Sequence, residues 1–369
     1  MSQNVNHPHP EEAELFFSSP TNTICLIDPW VASSLLHKAI RRGETDIAVA
    51  AALRLFQLRG AAIWRRFLII AFEDIGPASP DTLILVSKAS DRDWRRSHGD
   101  DVTVLVDVVR ALAVAPKDRS PDYLVCAARH HPAFEKDRCY VGGQTLEKRI
   151  GMSSDMRLPL VTRAIATWYA SGLDCSDERR VGTGDLKNLL ESFATHGAPE
   201  QCLSATMIAC GKTHDPICIM TPALWMAAFA TENPEAPYII EDAPLHSAEA
   251  AGIPLYTFDK HTRIGKAAIG RFAVENEDVS RVLSCWVADY RAQDAAAMAA
   301  YYVDAIPTTP QFTWHGCKDL EVLGRESDFA KIGFPLAGID ELINAVARNL
   351  EHLNELRAEL TLRRTRKVR

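Results

Sequence analysis

The sequence predicts a mainly α protein, on three observations. Apolar residues recur at three- and four-residue spacing over most of the chain, Ser-Pro-Asp appears twice as a helix start, and only two short segments read as strands. From Trp30, the residues Leu35, Leu36, Ala39 and Ile40 keep helical spacing, and Arg41-Arg42-Gly43 closes that helix with basic residues and a glycine stop. Thr45 or Asp46 caps a second helix, rich in alanine and leucine as far as Leu58 and ended by Gly60. A third runs from about Ala61 to Phe72. Ser79-Pro80-Asp81 then supplies an N-cap, a first-turn proline and a first-turn acid for a helix through Ser87. Asp100 or Asp101 caps the next, with Val102, Leu105, Val106, Val109, Leu112 and Ala113 on one face, and Pro116 stops it. Ser120-Pro121-Asp122 repeats the start signal for a helix through Ala128.

Residues 131–157 are polar, contain Gly142-Gly143 and read as a linker or exposed excursion. Helices are expected over about 158–171 and 185–195, and residues 199–229 are strongly apolar with interruptions at Gly211 and Pro216. Prolines at 234, 237, 244 and 254 then break the chain, with short strands expected at Tyr238-Ile239-Ile240 and at Leu255-Tyr256-Thr257-Phe258. Helices follow over about 262–273 and 278–303. A last helix from Ile339 places Leu342, Ile343, Val346, Leu350, Leu353, Leu356 and Leu360 in one stripe and ends in RRTRKVR, suited to packing on the body or on another subunit. The expected organisation is a disordered tail at 1–29, a helical domain at 30–130, a linker at 131–157, a second mainly helical domain with a few short strands at 158–337, and an amphipathic helix with a basic tail at 338–369.

With 369 residues, 47% hydrophobic and 24% charged, the chain is long enough for two domains. A formal net charge of -7 argues against a protein that coats nucleic acid non-specifically, while leaving room for local basic patches. No apolar run approaches the ~20 residues that span a bilayer, and the polar start lacks a signal-peptide pattern, so a cytoplasmic protein with no membrane partner is expected. The nine cysteines are odd in number and form no C-x-x-C pair, which points to reduced thiols.

Four constellations bear on chemistry. Gly211-Lys212-Thr213 copies the end of a phosphate loop, but Thr206 stands where its first glycine belongs, so a helix C-terminus is the favoured reading and no nucleotide cofactor is expected. Cys126, His130, His131 and Cys139 crowd four metal-capable side chains together without zinc-like spacing, and no metal is expected there. His214-Asp215 and the pair Asp259 and His261 are the candidates for acid–base catalysis, because a histidine held beside a carboxylate moves protons. No nucleophile motif accompanies them. The cations Lys38, Arg41, Arg42, Arg65 and Arg66, with Arg363, Arg364, Arg366, Lys367 and Arg369 of the tail, are candidates for contact with nucleic-acid phosphates.

Three ordered blocks carry a resemblance: LLHKAIRRGETDIAVAAALRLF, WRRFLIIAFEDIGPASPDTL and VVRALAVAPKDRSPDYL. Their Leu36-His37-Lys38, Arg41, Arg65-Arg66, Glu73-Asp74-Ile75-Gly76, Pro80 and Ala115-Pro116-Lys117 resemble the C-terminal helical region of the replication-associated recombination protein A (RarA, also MgsA) family, which includes Werner helicase interacting protein. The resemblance covers residues 33–130 and implies a clamp-loader-collar-like helical domain that self-associates. Family members carry an AAA+ ATPase half before this region, and about thirty residues precede it here. Phe72 and Pro77 depart from the family's serine and leucine. The implied function is a non-catalytic, self-associating accessory of DNA replication or recombination, with a homo-oligomer, DNA or an AAA+ ATPase as partners. The alternatives are an enzyme at the His/Asp pairs, or a mobile-element or host-interaction adaptor that engages such an ATPase. Glu73 and Asp74, at the end of an apolar run, then read as a structural helix corner that bonds the turn or pairs with nearby arginines.

Overall fold

The structure, a computed structural model, describes Ile24 and residues 27–174, 182–241 and 247–368, with the side chains of 364–368 outside the description. Nineteen α-helices account for most of the described chain, together with four very short strands. α1 (Pro29–Arg41) starts where the Asp28 carboxylate accepts from the N–H groups of Trp30 and Val31, both at 3.0 Å. α2 (Thr45–Arg59) folds back on it through Gly43, and α3 (Ala62–Ile70) follows the Gly60 turn. Next come α4 (Pro80–Ala89), with Pro80 in the first turn, and the short α5 (Arg92–His98). α6 (Asp101–Val114) is capped by Asp100, and α7 is Ser120–His130. The first two, α1 and α2, pack against each other and against α6, with Leu35, Leu36, Ile40, Leu55, Val104, Leu105, Val108 and Leu112 all buried.

The middle of the chain adds α8 (Glu135–Gly142), α9 (Leu146–Ser154), α10 (Leu160–Ser171), α11 (Leu186–Thr195), α12 (Glu200–Thr213) and α13 (Met220–Ala228). After these, β1 (Tyr238–Ile240) pairs antiparallel with the distant β4 (Gln311–Thr313) in the register Ile239 to Phe312. A second ribbon joins β2 (Glu249–Ala250) to β3 (Ile253–Pro254). The remaining helices are α14 (Arg263–Glu275), α15 (Glu277–Trp286), α16 (Asp289–Ala300), α17 (Cys317–Lys331), α18 (Ile339–Arg348) and α19 (Leu350–Val368).

Several expectations need correction. Residues 131–157 are not a linker: α8 and α9 lie there and both pack on α10, with Val141 and Met152 buried. Their sequences are polar because one narrow face meets the core. Nor does the apolar core divide at 130. One buried cluster runs from Ile24 to Phe258 and takes in Trp314 and Leu320, and a second is built from α14, α15, α16, α18 and α19 with Phe329 and Phe334. α17 bridges the two, lying so close to α7 that a Cβ on Gly324 would stand 2.8 Å from Tyr123 Cα. The expected helix over 278–303 is two, broken at Val287 and Ala288, and the expected strand at 255–258 is a 3₁₀ turn, Leu255–Thr257. The last stripe also breaks, at Asn349, whose side-chain amide donates to Ala345 O at 2.8 Å. Its Leu353 and Leu356 are buried on the body against α14. Of the expected tail, residues 1–23, 25 and 26 lie outside the described residues, while Ile24 and Ile27 are buried.

Gly76 and Gly60 share a backbone that other residues resist, φ 49° and ψ -133° against φ 54° and ψ -138°. They differ in surroundings: a Cβ on Gly76 would stand 2.7 Å from Pro121 Cγ, whereas one on Gly60 would meet nothing within 4 Å. Alanine at either position is therefore expected to cost about 1–3 kcal/mol of backbone strain. Gly76→Ala should cost measurably more in urea unfolding because the α7 N-terminus must also move.

Candidate functional site

The apolar run of α3 does not end as an ordinary helix. It widens into a π turn, Ala71–Ile75, before Gly76 reverses the chain. Such a turn carries an extra residue, so Glu73 and Asp74, which would diverge on an α-helix, both face α1. His37 and Arg41 stand one turn apart on α1 and meet them. Arg41 Nε donates to Asp74 Oδ1 at 2.8 Å, its Nη2 to Glu73 Oε1 at 2.6 Å, and its Nη1 to Ala305 O at 3.1 Å. Arg119, just before α7, donates through Nη1 to Asp74 Oδ1 and to Glu73 Oε1, the latter at 3.2 Å, and through Nη2 to Asp122. The Asp118 N–H donates to Asp74 O at 2.9 Å, so backbone as well as side chains tie this turn to the Pro116-Lys117 block.

A second π turn, Tyr301–Ala305, closes the cluster from the other side. It brings the Tyr301 hydroxyl within 3.4 Å of Arg119 Nη2 and offers the Asp304 carbonyl to Arg42 at 2.8 Å. The Asp304 carboxylate accepts from Arg357, which is fully buried on α19. Beside it, Lys38 Nζ donates to Asp259 Oδ2 at 2.7 Å and to Ser34 Oγ at 2.6 Å. Lys117 Nζ donates to Ala113 O at 2.9 Å and to Ala115 O, serving carbonyls left open at the end of α6.

The titration behaviour follows from burial and pairing. Burial pushes the Glu73 carboxyl up, but the guanidiniums of Arg41 and Arg119 outweigh it and hold it down to about 2. Asp74, shut off from water, is pushed upward by burial, against the opposing pull of the two guanidiniums bonded to its Oδ1. Burial lowers His37 well below the ordinary histidine value, so its imidazole is neutral. Burial also brings Lys117 down to about 8 and raises Asp122 to about 7 and Asp118 to about 6.

The residues singled out in the sequence divide sharply. Lys38, Arg41 and Arg42 are buried in the cluster and bonded to acids and carbonyls, so they do not reach nucleic-acid phosphates. A cationic helix end here faces the core, not water. Arg65 and Arg66 are exposed on α3, with Arg65 Nη2 donating to Thr213 O at 2.6 Å. Arg363 is exposed and paired with Glu359, and the side chains of Arg364, Arg366, Lys367 and Arg369 lie outside the described residues. Ile75 is buried, and Pro116 leads from α6 into the buried Lys117.

His214 and Asp215 line an open cleft of about 560 Å³ with Arg65, Arg129, Asp174 and Pro216. Asp259 is committed to Lys38, and the neighbouring His261 is exposed, so the two pairs are not joined in that cleft. Both do feel the Glu73 carboxylate. Gly211-Lys212-Thr213 ends α12, the opposite pole from a phosphate-binding helix N-terminus, and Lys212 Nζ donates to Ser90 O. Cys126, His131 and Cys139 each meet a different acid: Cys126 faces Asp328, His131 pairs with Glu326 at 2.9 Å, and Cys139 lies against Glu135.

No protein-family model, curated protein or solved structure matches the chain. Among the described residues, His37, Glu73 and Asp74 form a group close enough to share a metal ion, offering one ligand atom each within 4.8 Å of one another. Arg119, Asp122, Tyr301, Asp304 and Arg357 escaped the sequence reading. Arg119 sat visibly inside the PKDRSPD block, but nothing local marks a partner 45 residues earlier.

Removing one member of such a buried pair strands the other charge, at about 3–5 kcal/mol. Arg41→Met and Arg119→Met are each expected to lose that much in urea unfolding. The double variant should lose less than the sum, because both guanidiniums serve the same carboxylates. A second expectation concerns Asp118, whose carboxylate accepts from Ser120 N at 2.8 Å and from Trp314 Nε1 at 3.1 Å. Its folded value lies above its ordinary 3.8, so the native chain keeps a proton that the unfolded chain has released. This group therefore subtracts stability as pH rises from about 4 to about 6. Asp118→Asn should remove that part of the slope in unfolding titrations followed through tryptophan emission.

Proposed function

We propose that the protein is a non-catalytic, self-associating accessory of DNA replication or recombination, built on a RarA-like helical collar module. The observation that carries this reading is the convergence of the three resembling blocks. His37, Lys38 and Arg41 of the first, Glu73 and Asp74 of the second, and Lys117 with Arg119 of the third meet in one buried ionic cluster. Residues shared with a family for chemistry line a cleft. These instead hold helices in register, as a structural module requires. The Gly211-Lys212-Thr213 segment, at a helix C-terminus, offers no cradle for a nucleotide.

On this reading nucleic-acid contact is confined to exposed cations such as Arg65 and Arg66, and is correspondingly salt-sensitive. Light scattering at micromolar concentration is expected to find an oligomer, and the chain is expected to bind single-stranded or forked DNA at low salt. Arg66→Glu should weaken binding to all sequences alike and reduce the salt slope by about one. A strict monomer that binds neither DNA would overturn the proposal. Co-purification with an AAA+ ATPase, without DNA binding of its own, would favour the adaptor reading instead.

The competing enzyme reading draws on the His214–Asp215 cleft. Its own test is separate: His214→Ala would abolish a chemical step while leaving oligomer and stability unchanged.

A further inference from the structure

The ionic cluster is saturated on one side only. Arg41 and Arg119 take Asp74 through Oδ1 and Glu73 through Oε1. Asp74 has no exposed surface, yet its Oδ2 is buried with no hydrogen-bond partner. His37 Nε2 is likewise buried and unpartnered. Leaving even one such atom unmet costs about 1–3 kcal/mol, and two orphans facing one acidic turn call for a common partner. A water between them could donate one hydrogen to each atom but would leave Glu73 out. A cation satisfies both, and Glu73 with them.

The geometry points to a site for a divalent transition-metal ion held by His37, Glu73 and Asp74. The ligand atoms lie within 4.8 Å of one another. Bonds of about 2.1 Å to nitrogen and oxygen set ligand atoms roughly 3–4 Å apart, so a small side-chain adjustment closes the set. One imidazole with two carboxylates suits zinc, manganese, iron or cobalt better than magnesium or calcium, which prefer all-oxygen shells. Glu73, whose side chain keeps 17% of its surface exposed, leaves a water-accessible position on the ion. The guanidiniums do not oppose this. They engage the other oxygen of each carboxylate and so act as the outer partners that orient metal ligands. The cluster's own charges balance, with Arg41, Arg119, Lys38 and Lys117 against Glu73, Asp74, Asp122 and Asp259, so the ion's two positive charges have to be offset by proton release or by an anion at its water-accessible position. The site goes beyond the collar reading and does not depend on it, since DNA binding and oligomerisation can fail while the ion still binds.

The test uses the full chain, stripped with chelator and titrated with cobalt(II) or zinc chloride. Asp74 variants are avoided because they also break the ion pairs, whereas the buried Nε2 of His37 has no hydrogen-bond partner, so His37 can be changed without breaking a bond at that atom. Wild type is expected to bind one ion per chain, to show a cobalt d–d spectrum with nitrogen ligation, and to gain thermal stability from the ion. His37→Gln, checked for native circular dichroism, should weaken binding more than about a hundredfold and lose the ion-dependent stabilisation. If wild type binds no ion, or if His37→Gln binds as tightly with an unchanged spectrum, the site does not exist.

Discussion

Two buried guanidiniums organise this molecule. Arg41 and Arg119 each reach both carboxylates of the Glu73-Asp74 turn, and through them α1, the end of α3 and the start of α7 are held at one point. Buried ion pairs add little net stability compared with apolar packing of the same volume, because desolvation offsets attraction. What they impose is position. An apolar contact tolerates a slide of an ångström, whereas a guanidinium bonded at Nε, Nη1 and Nη2 to three different groups does not. The two π turns follow from that demand. Each aims neighbouring residues in one direction where an α-helix would spread them, and both turns face the same arginines.

How far this was legible in the sequence depends on the kind of signal. Helices marked by apolar period and by a cap or stop residue, such as α1, α2, α4, α6 and α7, are where the periodicity places them. Those missed have other causes. α5, RDWRRSH, carries one large apolar residue, and α8, EKDRCYVG, buries only Arg138 and Val141. No apolar stripe announces either. The stripe from Ile339 ran unbroken across Asn349 because a helix break that keeps the face buried leaves the spacing intact.

The ionic cluster was half legible. That Glu73 and Asp74 form a helix corner paired with arginines could be reasoned from the turn chemistry around Gly76, and the structure has them so. The identity of those arginines could not. Arg41 and Arg42 look like solvent-facing cations at a helix end, and only tertiary contact with segments 33 and 264 residues away turns them inward. Asp259 misled for the same reason: a histidine two residues on suggests a proton relay until Lys38, 221 residues earlier in the chain, proves to hold the carboxylate.

The way the second half of the chain docks limits how the helices of residues 30–130 can be used. Residues 301–314 run along its polar end: Thr309 N donates to Arg41 O, Lys117 N to Pro310 O, Phe312 N to Lys117 O, and the Trp314 indole to Asp118. The backbone groups and side chains that the three blocks present on that side are thus met within the same chain. Any partner of this part of the chain therefore has to dock on other surfaces, and the large apolar side chains left in water are the physical candidates. Trp30 at the start of α1, Val114 at the end of α6, and Tyr238 with Ile239 on the outer strand of the β1–β4 ribbon are each about half exposed or more. Of these, the ribbon alone combines apolar side chains with a strand edge, the combination that invites pairing with a second chain unless something covers it.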